Sequence, residues 1–180
     1  DYLKKKKEKI NFCLVGEPSN PNKLGEMIKI GRRGSLTGKL TIFGVQGHVA
    51  YPQRANNPST TIVKILNEIK ELKFDKGNKN FQPTNLEVTK INIDNRTDNI
   101  IPAKAEANFN IRFNNNHSSV SIKRKLNNIF KKISSKNKSK YKIEYRVSGE
   151  AFLTKPNQTT FMIQKIIKKI TKIKPKLSTT

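Results

Sequence analysis

Cysteine, histidine, tryptophan and acidic residues are all scarce in this 180-residue chain, which has one Cys, two His, no Trp and 13 Asp plus Glu. The lone Cys13 excludes an internal disulfide and any cysteine-based zinc knuckle, and it points to a reducing compartment. Long apolar runs are also missing. No stretch nears the ~18 residues of a membrane span, and the basic run of residues 4–7 is followed by no apolar signal-peptide core. The expectation is a soluble, cytoplasmic chain that engages no membrane. Three catalytic motifs are absent as well: a Gly-x-Ser-x-Gly elbow, a phosphate loop ending in Gly-Lys-Ser, and a His-Glu-x-x-His helix. Nucleophile-elbow hydrolases, nucleotide-binding loops and zincin proteases therefore lack support.

What is present suffices for a core. Leu, Ile, Val and Phe supply 48 of 180 residues, above the roughly 20% level that accompanies disorder. The length suits one domain and a small second lobe. The net charge of +24 first suggests nucleic acid. Lys, however, outnumbers Arg 30 to seven, and Asn and Ile each occur 21 times. Such a broad drift in composition differs from a phosphate-reading patch, which favours Arg forks on one face. No nucleic-acid partner is expected.

The hydrophobic pattern changes along the chain. Phe12 to Val15 reads as a strand buried on both faces, the last piece of an α/β unit begun upstream. From Arg32 the texture becomes half-buried. Leu36, Leu40 and Ile42 alternate with polar residues up to Gly44. Ile62, Ile65, Leu66, Ile69 and Leu72 make one helix face. Leu86, Val88, Ile91 and Ile93 form a strand whose phase slips near Lys90, as at a bulge. Ala105, Ala107, Phe109, Ile111 and Phe113 alternate without a break. Ser118 can cap a helix carrying Ile122, Leu126, Ile129, Phe130 and Ile133, and Tyr141 to Val147 make a last strand. The order strand, helix, strand, strand, helix, strand predicts an α+β domain, a ferredoxin-like four-stranded antiparallel sheet with two helices on one face. A third helix after Pro156 should turn Met162, Ile166, Ile167, Ile170 and Ile173 inward and end at Lys174 and Pro175, leaving a polar, unpaired tail. The domain reading is thus 1–31 as partial α/β domain, 32–149 as the inserted α+β domain, and 150–180 as a second α/β piece.

Few residues can carry chemistry. Glu17, just after the Phe12–Val15 run, is placed at the carboxyl end of a sheet, where it serves either as a metal ligand or as a loop cap. Arg32 and Arg33, between Gly31 and Gly34, suit a substrate carboxylate or a solvated hinge. His48, in the loop Gly44-Val45-Gln46-Gly47-His48-Val49-Ala50-Tyr51-Pro52, can donate a proton or an oxyanion hydrogen bond, or simply stand exposed. His117, in an Asn-rich turn, reads as structural. Arg112 lies opposite the apolar face of the cleanest strand, facing water or an anion. Asn99, before Ile100-Ile101-Pro102, serves a ligand or a turn.

These segments, in this order, resemble the succinyl-diaminopimelate desuccinylases of the di-zinc aminoacylase and carboxypeptidase superfamily. The resemblance rests on Val15-Gly16-Glu17-Pro18-Ser19, Gly31-Arg32-Arg33-Gly34-Ser35-Leu36, the Gly44–Pro52 loop, Asn56-Asn57-Pro58, Asn99-Ile100-Ile101-Pro102, Arg112-Phe113, and Ser148-Gly149 before Phe152-Leu153-Thr154. It implies a homodimeric hydrolase of lysine and diaminopimelate biosynthesis that cleaves N-succinyl-diaminopimelate with two zinc ions. Carried over, Glu17 is a zinc ligand. His48 reaches the partner subunit's reaction centre as an oxyanion donor, and Arg32, Ser35, Tyr51, Asn99 and Arg112 hold the small-molecule substrate. Residues 32–149 become the lid and dimerisation domain.

The family's His-x-Asp pair, bridging Asp, Glu-Glu pair and late zinc-binding His have no counterpart here. The expectation is a segment that is inactive alone. Two alternatives stand beside it: another di-zinc aminoacylase or carboxypeptidase, and a basic ferredoxin-like RNA-binding module. The RNA module requires stacking aromatics on the open sheet face, where the clean strand offers Glu106, Asn108, Asn110 and Arg112.

Overall fold

Four strands build the sheet, and burial alternates most cleanly along residues 104–113. The computed structural model describes residues 2–179. Strands β1 (Gly34–Phe43), β2 (Asn85–Asn92), β3 (Lys104–Phe113) and β4 (Lys140–Gly149) are crossed by helices α1 (Pro58–Lys70) and α2 (Ser119–Lys136). The sheet order is β2-β3-β1-β4, all neighbours antiparallel. This is the ferredoxin-like arrangement that the sequence predicts.

One face is apolar. Leu36, Leu40 and Ile42 of β1 and Ala105 to Phe113 of β3 meet Ile62, Ile65 and Ile69 of α1 and Ile122, Leu126 and Phe130 of α2 in one core. Each large side chain taken fully out of water there contributes about 1.5–3 kcal/mol. Two glycines in β1 make room for rings. Gly34 lies opposite Phe113 and Gly38 opposite Phe109, and a Cβ on either glycine would strike the facing ring. The phase slip in β2 is a real irregularity. Val88 faces Phe109 and Lys90 faces Asn108, so Thr89 is the extra residue, and Ile91 lies opposite Ala107 but is exposed.

The helix ends follow side-chain chemistry. Asn57 caps α1 by accepting the Ser59 amide at 2.9 Å, with Pro58 in the first turn. Ser118 caps α2 in a reciprocal box with Ser121. Such caps satisfy backbone donors that the helix leaves free.

The chain divides into two compact units, residues 29–156 with 178–179, and residues up to 28 with 157–177. The smaller unit departs from expectation in five ways. Phe12 to Val15 form no strand, and Phe12, Leu14 and Val15 are exposed, because no neighbouring strand offers the hydrogen bonds that a doubly buried strand requires. Glu17 therefore does not sit at a sheet edge. It is exposed on irregular chain, its carbonyl accepting from the Ser19 amide. The third helix, α3 (Gln158–Thr171), ends at a left-handed Lys172 rather than at Lys174 and Pro175. Its apolar stripe is not turned inward: Met162, Ile166 and Ile170 are exposed, while Ile167 and Thr171 approach Gly25. Finally, the tail is paired, since Lys176–Ser178 forms a short strand against Met27–Lys29. No helix is long and apolar enough to cross a membrane among the described residues.

Candidate active site

Two groups of candidate residues stand at opposite ends of the sheet. The first is the His48 loop. Its base is closed by mutual backbone bonds between Val45 and Asn56, both 2.9 Å. Pro52 opens a 3-10 turn through Arg54. The Asn56 amide ties the loop to the carbonyls of Asn137 and Lys138. Gly47 and His48 pair with Ile101 and Ile100 in a two-residue antiparallel ladder, and the Val49 amide donates to the Asn99 carbonyl at 3.0 Å. Residues 51 positions apart in sequence are thereby neighbours. Tyr51 joins them, its ring centroid 6.1 Å from that of His48, with Arg54 5.4 Å from the Tyr51 ring.

The imidazole has a defined orientation. Nδ1 of His48 accepts the Ala50 amide proton at 3.1 Å. A ring nitrogen that accepts carries no proton, so the neutral ring bears its hydrogen on Nε2, on an exposed residue. His48 is thus set as a hydrogen-bond donor, with no carboxylate within 4.0 Å among the described residues.

The second group lies at the other end of β1 on the face away from the helices. Asn85, Arg112 and Ser35 form one row across β2, β3 and β1. Asn110, one row along, donates to Ser35 at 3.4 Å and to Thr37 at 3.0 Å. Arg33 donates from Nη1 to the Asn85 side-chain oxygen at 3.0 Å. Burial, and secondly the Arg112 charge, lower the Arg33 pKa from its usual value. Arg32, exposed, pairs opposite Phe152 in another two-residue ladder. Gly149 faces Ser35 from β4.

Arg32, Ser35 and Arg112 are therefore brought to one end, and His48, Tyr51 and Asn99 to the other. Ser35 and Phe43 are eight residues apart on one strand, about 27 Å at ~3.4 Å per residue. No small molecule bridges that length. Glu17 belongs to the smaller unit. No group of three or more His, Cys, Asp and Glu side chains able to hold a metal occurs among the described residues. Glu17 alone does not make a zinc site.

Two contacts are not visible in the sequence. Asn85 holds Arg33 from 52 positions away, a contact that only the sheet register reveals. Asp75 gathers bonds from Gly77, Thr84, Asn114 and His117, which makes His117 part of a loop clasp.

Residues 30–138 match the family model described as peptidase dimerisation domain. The chain belongs to that family. Along its whole length it is 77% identical to a succinyl-diaminopimelate desuccinylase of Pelagibacter ubique (strain HTCC1062), covering 47% of that protein. With its counterpart in Rickettsia bellii (strain RML369-C) it shares 46% identity over 178 residues, 99% of this chain and 46% of that protein. The chain thus spans about half the length of these curated relatives. Its fold is similar to part of the aminopeptidase PepT from Bacillus cereus (TM-score 0.69, 13% identity, 86% of this chain and 40% of that one). A Staphylococcus aureus tripeptidase gives a TM-score of 0.67 at 14% identity, over 84% of this chain and 39% of that one.

Proposed function

We propose that this dimerisation domain serves a desuccinylase that hydrolyses N-succinyl-diaminopimelate to succinate and diaminopimelate, in lysine and cell-wall precursor synthesis. The observation that carries this reading is the separation of the two residue groups. His48, Tyr51 and Asn99 cannot act on the molecule held by Arg32, Ser35 and Arg112 of the same copy. Two copies related by a two-fold axis supply one half each, because an isologous pair places every residue of one copy opposite its complement in the other.

In this reading Arg32, Ser35 and Arg112 hold carboxylates of the substrate, with guanidinium forks matched to planar oxyanions. His48 of the other copy donates its Nε2 hydrogen to the carbonyl oxygen of the scissile amide as negative charge develops there, while Tyr51 and Asn99 beside it orient the substrate. A preorganised donor of this kind is worth about 10²–10³ in kcat. Glu17 would supply one carboxylate of a zinc ligand set, whose other members the described residues do not provide.

Succinate release by the full-length enzyme tests the function. His48→Ala should lower kcat by about 10²–10³, with KM for N-succinyl-diaminopimelate little changed. The 180-residue chain supplied with zinc and the same substrate should release none. Sustained release by this chain alone, or an unchanged kcat in the variant, contradicts the assignment.

A further inference from the structure

Charge is distributed unevenly over the open face of the sheet. Toward the His48 end, basic and acidic side chains are matched: Lys39 and Lys104 with Glu106 at 3.5 and 3.9 Å, and Lys142 with Glu144 at 2.6 Å. Toward the Ser35 end one pair occurs, Lys70 with Glu87 at 3.0 Å, Glu87 lying opposite Asn110, and the arginines are left unmatched. Arg33, Arg112 and, one row on, Arg146 opposite Thr37 have no carboxylate within 4.0 Å among the described residues. The residue type is also selective. In a chain with 30 Lys and seven Arg, four of the arginines (32, 33, 112 and 146) stand at this end, where a drift toward lysine would have placed ammonium groups. Guanidinium is retained where a rigid planar fork is needed.

Arg33 is the unusual member. Its Nε is buried and without a hydrogen-bond partner, although burying an unpaired N–H is costly. Its Nη1 is held by Asn85, which sits directly opposite Arg112. One guanidinium is thus tied to the row that carries the other, and neither has a carboxylate within 4.0 Å among the described residues, an arrangement that an anion relieves. We infer that Arg33, anchored by Asn85, is a second guanidinium of the carboxylate site formed by Arg112 and Ser35, and that the pair makes the site selective for a dicarboxylate. The inference deepens the reading of Arg112 as a carboxylate-binding residue and rests on it.

The test uses the 180-residue chain and two probes of equal shape: succinate, and succinamate, in which one carboxylate is an amide. Arginine Nε–Hε signals in 1H–15N spectra report binding at each guanidinium. Succinate should shift both the Arg33 and the Arg112 signals in a saturable way and bind about tenfold more tightly than succinamate. Arg33→Lys keeps the charge and loses the fork, and Asn85→Ala frees the fork and keeps the charge. Both variants should bring the two affinities to near equality, with amide spectra as dispersed as those of the parent chain. Arg112→Lys should weaken both ligands. If Arg33→Lys and Asn85→Ala keep the tenfold preference while Arg112→Lys weakens binding, the role of Arg33 is overturned and the reading of Arg112 stands. If Arg112→Lys changes nothing, or neither probe gives a saturable shift, both fall.

Discussion

Ser35 and His48 are carried at opposite ends of a single strand, β1, with Ser35 one residue after its start and His48 five residues beyond its close. The same polypeptide therefore cannot bring both to one small molecule. Each end is nevertheless organised: Arg112 and Asn85 share the Ser35 row, and Asn99 is bonded to the loop that carries His48. Each end of the strand thus carries its own ordered cluster of candidate residues.

The chain in solution should be a dimer of twice its 20.5 kDa mass by light scattering. Each copy carries +24, so like-charge repulsion opposes association, and added salt should strengthen it by screening. A 20.5 kDa particle at every salt and protein concentration would count against the pairing.

Gly38→Ala should destabilise the domain by about 1–3 kcal/mol, because its methyl would overpack the Phe109 ring and force a shift in the core. Urea unfolding should show a lower midpoint with an unchanged slope. A stability equal to the parent chain would mean that the ring has room to move.

Asp75 sets an acid limit. Burial raises its carboxyl pKa, but bonds from Thr84, Gly77 and Asn114 outweigh that and hold it below the ordinary 3.8. A depressed folded-state pKa gives stability that is present above the unfolded value and lost as pH falls through the folded one. The Asp75 contribution is therefore complete at neutral pH, begins to fall below the ordinary 3.8 and is lost as pH drops through the lower folded-state pKa. Asp75→Asn should lose about 1–3 kcal/mol at pH 7, since a buried bond network is left mismatched, and its stability should fall less steeply in acid. Parallel pH curves for the two proteins would remove Asp75 from this role.

Much of the larger unit was legible in the sequence because its strands are half-buried. Ala105 to Phe113 alternate strictly, the slip at Lys90 marks the irregularity in β2, and Ser118 begins α2. These signals are local. The Phe12–Val15 run and the third helix misled for the opposite reason: an apolar pattern states what a segment can bury against and not whether that surface is there. The clustering of His48 with Asn99 was equally hidden, because a two-residue ladder has no periodicity. The candidates themselves were identifiable by residue type and motif. Their grouping at the two ends of β1 emerges from the register of β1 with β3, and the separate register of β2 with β3 sets Asn85 opposite Arg112.

The sharing of one site by two copies is tested most directly by mixing two disabled full-length enzymes, His48→Ala and Arg112→Ala, under conditions that exchange subunits. A mixed dimer has one site lacking both groups and one with both intact. Statistical exchange makes half of the dimers mixed, so the mixture should recover about one quarter of parental succinate release, although each variant alone is nearly inactive. Activity that stays at the level of the separate variants after exchange is verified would show that His48 and Arg112 do not meet across the pair.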